Sequence, residues 1–248
     1  MRKILMGVAA AAALAPAVAS AETNATIGIQ YSNLGVDGSS YDFDTYGFNG
    51  AFNHDFDNGW QVQMDGAANR VDAGGCCISQ NYAAAHYGMR SDTHSVAGYV
   101  GLQDFYLYSG LAFGVEGQLH LSNTTLGGSV SHVTFGDIDL DATVAHVDGA
   151  YFITPDFSLT GSVSYGDFDG SDGTMWGIGG EYRFAGSPTS VSLGYRQGDM
   201  DSFEVDAWTI GLNFDLGTGS LQERTQSGPS WSGAKTLNDA FGMLVPII

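Results

Sequence analysis

The residues of this chain that could do chemistry fall into four groups. Cys76 and Cys77 are adjacent behind Gly74 and Gly75, and the chain has no third cysteine. Neighbouring thiols can pair with each other in a strained ring or bridge to another chain. Two of them are too few for a structural metal centre. The vicinal disulfide is the first reading and the intermolecular bridge the second. The carboxylates form a second group, with a repeated G-D-x-D at Gly136–Asp139, Gly166–Asp169 and Gly198–Asp201. Clustered carboxylates are Ca²⁺ ligands, but the Gly and distal Glu of an EF-hand loop are absent. The clusters therefore read as a solvated acidic surface, with divalent-cation bridging to anionic lipid headgroups as the alternative. The third group is six histidines, His54, His86, His94, His120, His132 and His146, with no HExxH and no short-spaced metal pair. Ser131 and His132 adjoin. On a strand they point to opposite faces and cannot form a nucleophile–base pair with each other. No catalytic residue, metal site or cofactor is expected. The fourth group is Asp65, Arg90, Glu116, Gln118, His120, Glu181, Arg183 and Arg196, acids, bases and polar residues set within alternating runs.

That alternation is the dominant pattern after residue 22. Leu111, Phe113, Val115, Leu119 and Leu121 fall on one face of their run, and Ala112, Glu116, Gln118 and His120 on the other. Trp176, Ile178, Tyr182 and Phe184 likewise oppose Gly177, Gly179, Glu181 and Arg183. A period of two is the period of a strand. Turn signals divide the chain into twelve strands, at 23–34, 41–56, 59–71, 81–91, 94–103, 110–122, 125–135, 139–153, 157–167, 174–184, 189–198 and 203–216. Splitting or merging a hairpin between 94 and 122 would give ten or fourteen. The runs are about twice the ordinary strand length of ~5–6 residues and suit a tilted membrane crossing of about 9–11. Connections alternate between short turns, such as Asp57-Asn58-Gly59 and Ser122-Asn123, and longer acidic or Gly-rich loops at 36–40, 72–80 and 168–173. Short turns at one end and longer loops at the other are the habit of a transmembrane barrel. The G-D-x-D starts are 30 and 32 residues apart, about one hairpin plus its return turn, so the repeat counts hairpins.

Composition removes the competing classes. The chain of 248 residues has 8 Lys+Arg against 27 Asp+Glu, which excludes a phosphate-binding, nucleic-acid partner. Gly is 36 and Pro only 5, unlike collagen or Pro-rich disorder. No apolar run of ~20 residues follows the N-terminus, so spanning helices are excluded. Residues 1–21 read as a cleaved signal peptide: Arg2-Lys3, an apolar stretch from Ile4 to Leu14, and Ala19-Ser20-Ala21 as the small-x-small site. Loss of Arg2 and Lys3 takes the formal charge from −19 to −21.

The reading is all-β: a closed antiparallel transmembrane β-barrel over 22–216, with a C-terminal extension over 217–248. Aromatics near strand ends (Tyr46, Phe56, Trp60, Phe157, Trp176, Phe184, Trp208) would form the interfacial girdles. In lipid the apolar face points outward, the polar face lines an aqueous lumen, and closure is obligatory because unpaired backbone groups in hydrocarbon cost several kcal/mol each.

Thr209-Ile210-Gly211-Leu212-Asn213-Phe214-Asp215-Leu216 resembles the assembly signal in the last strand of Gram-negative outer-membrane barrels, with Thr209, Gly211, Phe214 and Leu216 at its polar, Gly, aromatic and hydrophobic positions. With the signal peptide, residues 1–216 resemble a small porin-type barrel of the alphaproteobacterial kind. The resemblance implies an outer-membrane location and passive diffusion of small hydrophilic solutes, cationic or neutral given the acidity. It also implies a pore lined by Asp65, Arg90, Glu116, Gln118, His120, Glu181, Arg183 and Arg196. Implied partners are outer-membrane lipid and lipopolysaccharide, the barrel assembly machinery, small polar solutes and, as in larger porins, further copies of the chain. A non-conducting adhesion barrel and a barrel lipid hydrolase using His132 are the alternatives. One departure stands out: such chains usually stop at the aromatic strand end, whereas here 32 residues follow. They read as a disordered periplasmic tail or, given the apolar Phe241–Ile248, as a plug for the lumen.

Overall fold

A computed structural model describes residues 23–38, 42–72, 77–200, 203–217 and 219–243. The segment read as a signal peptide, Cys76 and the last five residues lie outside the described residues. Twelve strands follow in order: β1 (Thr23–Val36), β2 (Asp42–Asp55), β3 (Trp60–Asp72), β4 (Cys77–Arg90), β5 (His94–Phe105), β6 (Tyr108–Leu121), β7 (Thr124–Phe135), β8 (Leu140–Thr154), β9 (Phe157–Phe168), β10 (Ser171–Arg183), β11 (Thr189–Met200) and β12 (Phe203–Asp215). Each pairs antiparallel with its sequence neighbours, and β1 pairs with β12 from Thr26↔Asp215 to Val36↔Val205, which closes the barrel. Among the described residues the ladder has one irregularity, between Phe152 and Thr154 on β8. The twelve strands anticipated from the alternation are all present, in the anticipated order.

The near end of the barrel is the one holding Thr23 and Asp215, and the other is the far end. The expected difference in loop length is absent. At the far end β9 and β10 are joined only by Asp169 and Gly170, and β5 and β6 only by Tyr106 and Leu107. Parts of two segments read as loops are strand instead: β4 begins at Cys77 and β10 at Ser171. The physical reason lies in the G-D-x-D repeat. Its last Asp takes a left-handed conformation at Asp139 (φ 52°) and Asp169 (φ 54°), and Gly170 follows with φ 88°. Two successive residues of positive φ make the tightest hairpin turn, and Asp-Gly is its preferred sequence.

The outer face carries a broad apolar belt, replaced towards the far end by carboxylates such as Asp104, Asp167 and Asp199. Val115, Val147, Val163 and Ile178 are each at least 60% exposed there. Two aromatic bands flank this belt. Trp60 stacks on Tyr87 (centroids 4.7 Å apart), and Tyr182 packs edge-on to Phe184, near one end; Trp176, Tyr195 and Trp208 run side by side near the other. Trp176 and Phe184 are eight residues apart, about 26 Å of strand at ~3.3 Å per residue, the height of a lipid-facing band.

The lumen is not uniformly polar. At its far end Val71, Ile78, Phe105, Val133, Phe135, Val144 and Phe168 point inward and are buried around Leu237 and Phe241. A core therefore exists inside the barrel, and the C-terminal extension supplies its centre. The extension forms α1 (Leu221–Ser227) and α2 (Gly233–Gly242), joined by a short extended segment. The disordered-tail reading is thereby corrected: the tail enters at the near end and runs up the lumen until Met243 meets Leu34, Val205 and Ala207 of the far-end wall.

Candidate functional site

The tail is built to be held. Ser220 caps α1, its hydroxyl accepting from the Glu223 amide while the Glu223 carboxylate accepts from the Ser220 amide. This short helix lies across the near-end turns. The Gln222 amide N–H donates to the Pro155 carbonyl at 3.0 Å, and Gln226 Nε2 donates to the Leu121 carbonyl at 3.0 Å. Arg224 reaches the barrel wall, with Nη2 2.6 Å from Glu181 Oε2 and Nη1 3.2 Å from Asp215 Oδ1. Burial alone would lower the Arg224 pKa, but Glu181 and Asp215 raise it, so its charge is locked on.

Above α1 the extended segment is met by side chains of the polar face. Arg90 Nη1 donates to the Gly228 carbonyl at 2.7 Å and its Nη2 to Ser230 Oγ at 3.0 Å. Gln118 Nε2 donates to the Ser230 carbonyl at 2.9 Å. Gln63 closes a two-way pair with Trp231: its Nε2 donates to the carbonyl at 2.6 Å, and its Oε1 accepts from the amide at 3.0 Å. The Trp231 indole donates to Ser95 Oγ at 3.1 Å. Trp231 is 2% exposed, with the Arg90 guanidinium over its ring and His86 stacked beside it at 6.3 Å.

Glu116 ties the start of α2 to the wall. Its Oε2 accepts from the amides of Ser232 (2.9 Å) and Gly233 (2.8 Å), a carboxylate at the positive end of a helix. Its Oε1 meets His86 Nδ1, and His86 Nε2 lies 2.5 Å from Asp65 Oδ1. Asp65, His86 and Glu116 thus form one buried chain of charge that ends on the tail. Gly233 is required at this contact, because a Cβ there would lie 2.8 Å from the Tyr99 ring. Higher up, Gln103 Nε2 donates to Asn238 Oδ1 at 2.7 Å, and Gln80 bonds the Asn238 carbonyl. On the opposite wall Arg196 Nη1 is 3.2 Å from Asp239 Oδ2, which Lys235 Nζ also approaches at 2.6 Å.

All eight residues read as the lumen set point inward. The structure brings Asp65, Arg90, Glu116 and Gln118 together around Ser230–Gly233, and Glu181 and Arg183 together at the near mouth, where Arg183 Nη1 is 3.6 Å from Asp215. Arg196 faces α2 alone. His120 is 5% exposed, and neither ring nitrogen has a hydrogen-bond partner among the described residues. Five of them, Arg90, Glu116, Gln118, Glu181 and Arg196, contact the tail. His86, Gln63, Ser95 and Asp215 were missed as site residues, although their parity with Arg90, Asp65 and Glu181 on the same polar face could have flagged them. Arg224 and Trp231 carried no signal beyond their placement in a polar tail.

The other groups resolve more simply. Thr209 and Gly211 point into the lumen from β12, while Phe214 faces outward and Leu216 follows the strand. Cys77 is exposed, its thiol accepting from Arg70 Nη2 at 2.7 Å; the proposed pairing partner, Cys76, lies outside the described residues. Ser131 is buried inside, and His132 is on the outer face beside Phe113, its Nδ1 2.9 Å from Thr143 Oγ1, so the two do sit on opposite faces. Among the described residues no group of His, Cys, Asp and Glu is arranged to hold a metal.

No family model matches the chain, and no curated protein matches it in sequence. Solved structures match in fold. The NanC porin superposes with a TM-score of 0.58 at 12% identity, over 75% of this chain and 98% of its own. An outer membrane channel from Pseudomonas putida F1 gives 0.57 at 12%, over 81% and 97%. The KdgM porin in complex with disordered oligogalacturonate gives 0.53 at 10%, over 75% and 98%. At these identities the likeness is one of fold: a closed barrel shared with outer-membrane channels.

Proposed function

We propose that the protein is a porin-like outer-membrane channel for small hydrophilic solutes, carrying its own C-terminal plug. The observation that supports this is the inversion of the barrel: an apolar, girdled outside around an inside that carries charge. Among the described strand residues Asp55, Asp65, Glu116, Asp148, Glu181 and Asp215 face inward against Arg90, Arg183 and Arg196. The described tail adds Glu223 and Asp239 against Arg224 and Lys235 and leaves this balance unchanged. Such a lining favours cations and neutral polar solutes over anions. The acidic turns at the far end would raise the local cation concentration there. The preference rests on these residues and not on the fold, since the KdgM porin of the same fold is seen with oligogalacturonate.

In this reading the near end is periplasmic, the signal peptide directs export, and Thr209, Gly211, Phe214 and Leu216 present the assembly signal. The alphaproteobacterial affinity rests on that motif together with the signal peptide. Lipopolysaccharide and the assembly machinery are the expected partners.

The test is single-channel conductance in a planar bilayer under a KCl gradient, for the full chain and for a chain ending at Gly217. The expected result is a small, cation-selective conductance for the full chain and a larger one for the short chain. A folded short chain that inserts and passes no current would overturn the channel and leave a structural barrel.

A further inference from the structure

The tail does not sit on the axis of the lumen. Helix α2 packs on β4 to β8 and makes no comparable contact with β9 to β12, β1 or β2. Burial of the inward side chains differs in part: Asn53, Ser158, Ser164 and Ser190 of the opposite wall are buried, but other polar side chains there are not. On the tail's side Gln61, Gln63, Gln103 and Ser131 are 0–1% exposed. On the opposite wall Ser162, Ser192, Thr209 and Asn213, which also point inward, keep part of their surface open, and Thr160 is exposed.

The open wall is also built in low relief. Polar side chains lie over glycines of the next strand: Arg196 over Gly177, Ser192 over Gly211 and Asn213 over Gly28, where a Cβ would come within 3.1, 2.5 and 2.4 Å of them. Side chains that lie along the wall leave the space before it free. A cavity of about 410 Å³ opens from the near mouth on this side, between Thr26, Arg183 and Asp215 of the wall and Arg224 of α1. At the far end the same side narrows to about 30 Å³ of apolar cleft between Gly198, Met200, Val205 and Met243, room for one or two waters at most. There Met243 is buried against Leu34, Val205 and Ala207.

We infer that solutes pass beside the seated tail, along the polar wall of β9 to β12, β1 and β2, and that Met243 against Leu34, Val205 and Ala207 is the seal that must move for them to cross. This rests on the channel reading above and adds a route and a gate to it. A tail that had to leave would break its polar contacts with Gln63, Arg90, Glu116 and Gln118 together. Displacing one methionine at the end of α2 breaks none of them. The solutes that fit are small cations and neutral polar molecules. Along the route they meet Glu181 and Asp215, bridged to Arg224, at the mouth, hydroxyls midway, and the Arg196–Asp239 pair as a second charged bridge from wall to tail.

The experiment uses the full chain with Cys76 and Cys77 replaced by Ser, and single cysteines introduced as Ser192→Cys or Ser131→Cys. A charged methanethiosulfonate reagent is the probe, and each variant is also labelled after unfolding to show that its thiol is competent. Ser192→Cys should react at least a hundredfold faster than Ser131→Cys in the folded barrel. Equally slow reaction would mean a lumen filled all round, and equally fast reaction a tail that leaves; either overturns the route. Met243→Ala should at least double the full-chain conductance while the tail stays protected from trypsin. Unchanged conductance would overturn the seal. Labelling reports the route whether or not current flows, so its failure is distinct from failure of the short chain to conduct.

Discussion

In the near half of the lumen the tail's backbone meets side chains that aim hydrogen-bonding groups at it: Gln63, Arg90, Glu116 and Gln118. In the far half Leu237 and Phe241, both 0% exposed, are surrounded by Phe105, Phe135 and Phe168, with ring centroids 5.3–5.6 Å from Phe241. The two halves hold one segment by different physics. Hydrogen bonds fix register but return little net free energy, because each replaces a bond to water. The near half also buries polar atoms that find no hydrogen-bond partner among the described residues: both amide atoms of Gln61, both ring nitrogens of His120 and the hydroxyl of Thr125. Each such atom costs about 1–3 kcal/mol. That half is chemically a wall for water, occupied by a peptide. The far half is packed like the interior of a soluble protein. The tail is thus positioned at the near half and anchored at the far half.

The largest test of this contrast is Phe241→Ala. Truncating a buried aromatic costs about 3–5 kcal/mol, so tryptic cleavage after Arg224 and Lys235 should accelerate more than a hundredfold while the barrel stays folded. Unchanged protection would move the anchor to the near half. Glu116→Gln should cost less, about 2 kcal/mol. It keeps an acceptor for the Ser232 and Gly233 amides but removes the charge facing His86. The expected readout is partial exposure of Trp231, seen as a red-shifted emission component. A shift as large as that of Phe241→Ala would erase the distinction between the halves.

The smallest effect is that of pH on Asp239. Burial by itself would raise this carboxyl, but Lys235 and Arg196 hold it below its ordinary value of 3.8. A depressed carboxylate contributes its stabilisation above the unfolded value and loses it as the pH falls through the folded one. Tail protection should therefore be flat from neutral pH down to about 4 and fall below it. The contribution of this partly exposed pair is under about 1 kcal/mol. Asp239→Asn isolates it, because that variant should lack this part of the acid limb. An identical limb would assign the effect to other carboxylates.

Much of the barrel was legible in the residues. Leu111 to Leu121 and Met175 to Phe184 alternate so strictly that strand, face and neighbour follow, because a pleated strand has only two faces and lipid accepts only one kind of side chain. Arg90, Glu116 and Glu181 were placed inside for the same reason. Loop length was misread, since Asp169-Gly170 and the polar residues around it look like loop whether or not the ladder continues through them. The inward-facing Val71, Phe105, Val133 and Phe135 were also hidden. Apolar residues on both faces of a strand end carry no parity signal, and what makes the inner ones favourable is a partner more than a hundred residues away.

The sequence by itself therefore determined the barrel: twelve strands, their polar and apolar faces and the residues that point inward, all of which follow from periodicity and the demand for closed backbone hydrogen bonding in lipid. Only the tertiary structure decided what fills the barrel. Whether Trp231 and Phe241 meet water or the lumen wall depends on how a wall from twelve strands matches a tail in shape and hydrogen-bonding groups. That match joins residues such as Gln63 and Trp231, far apart in the chain, and no local pattern encodes it.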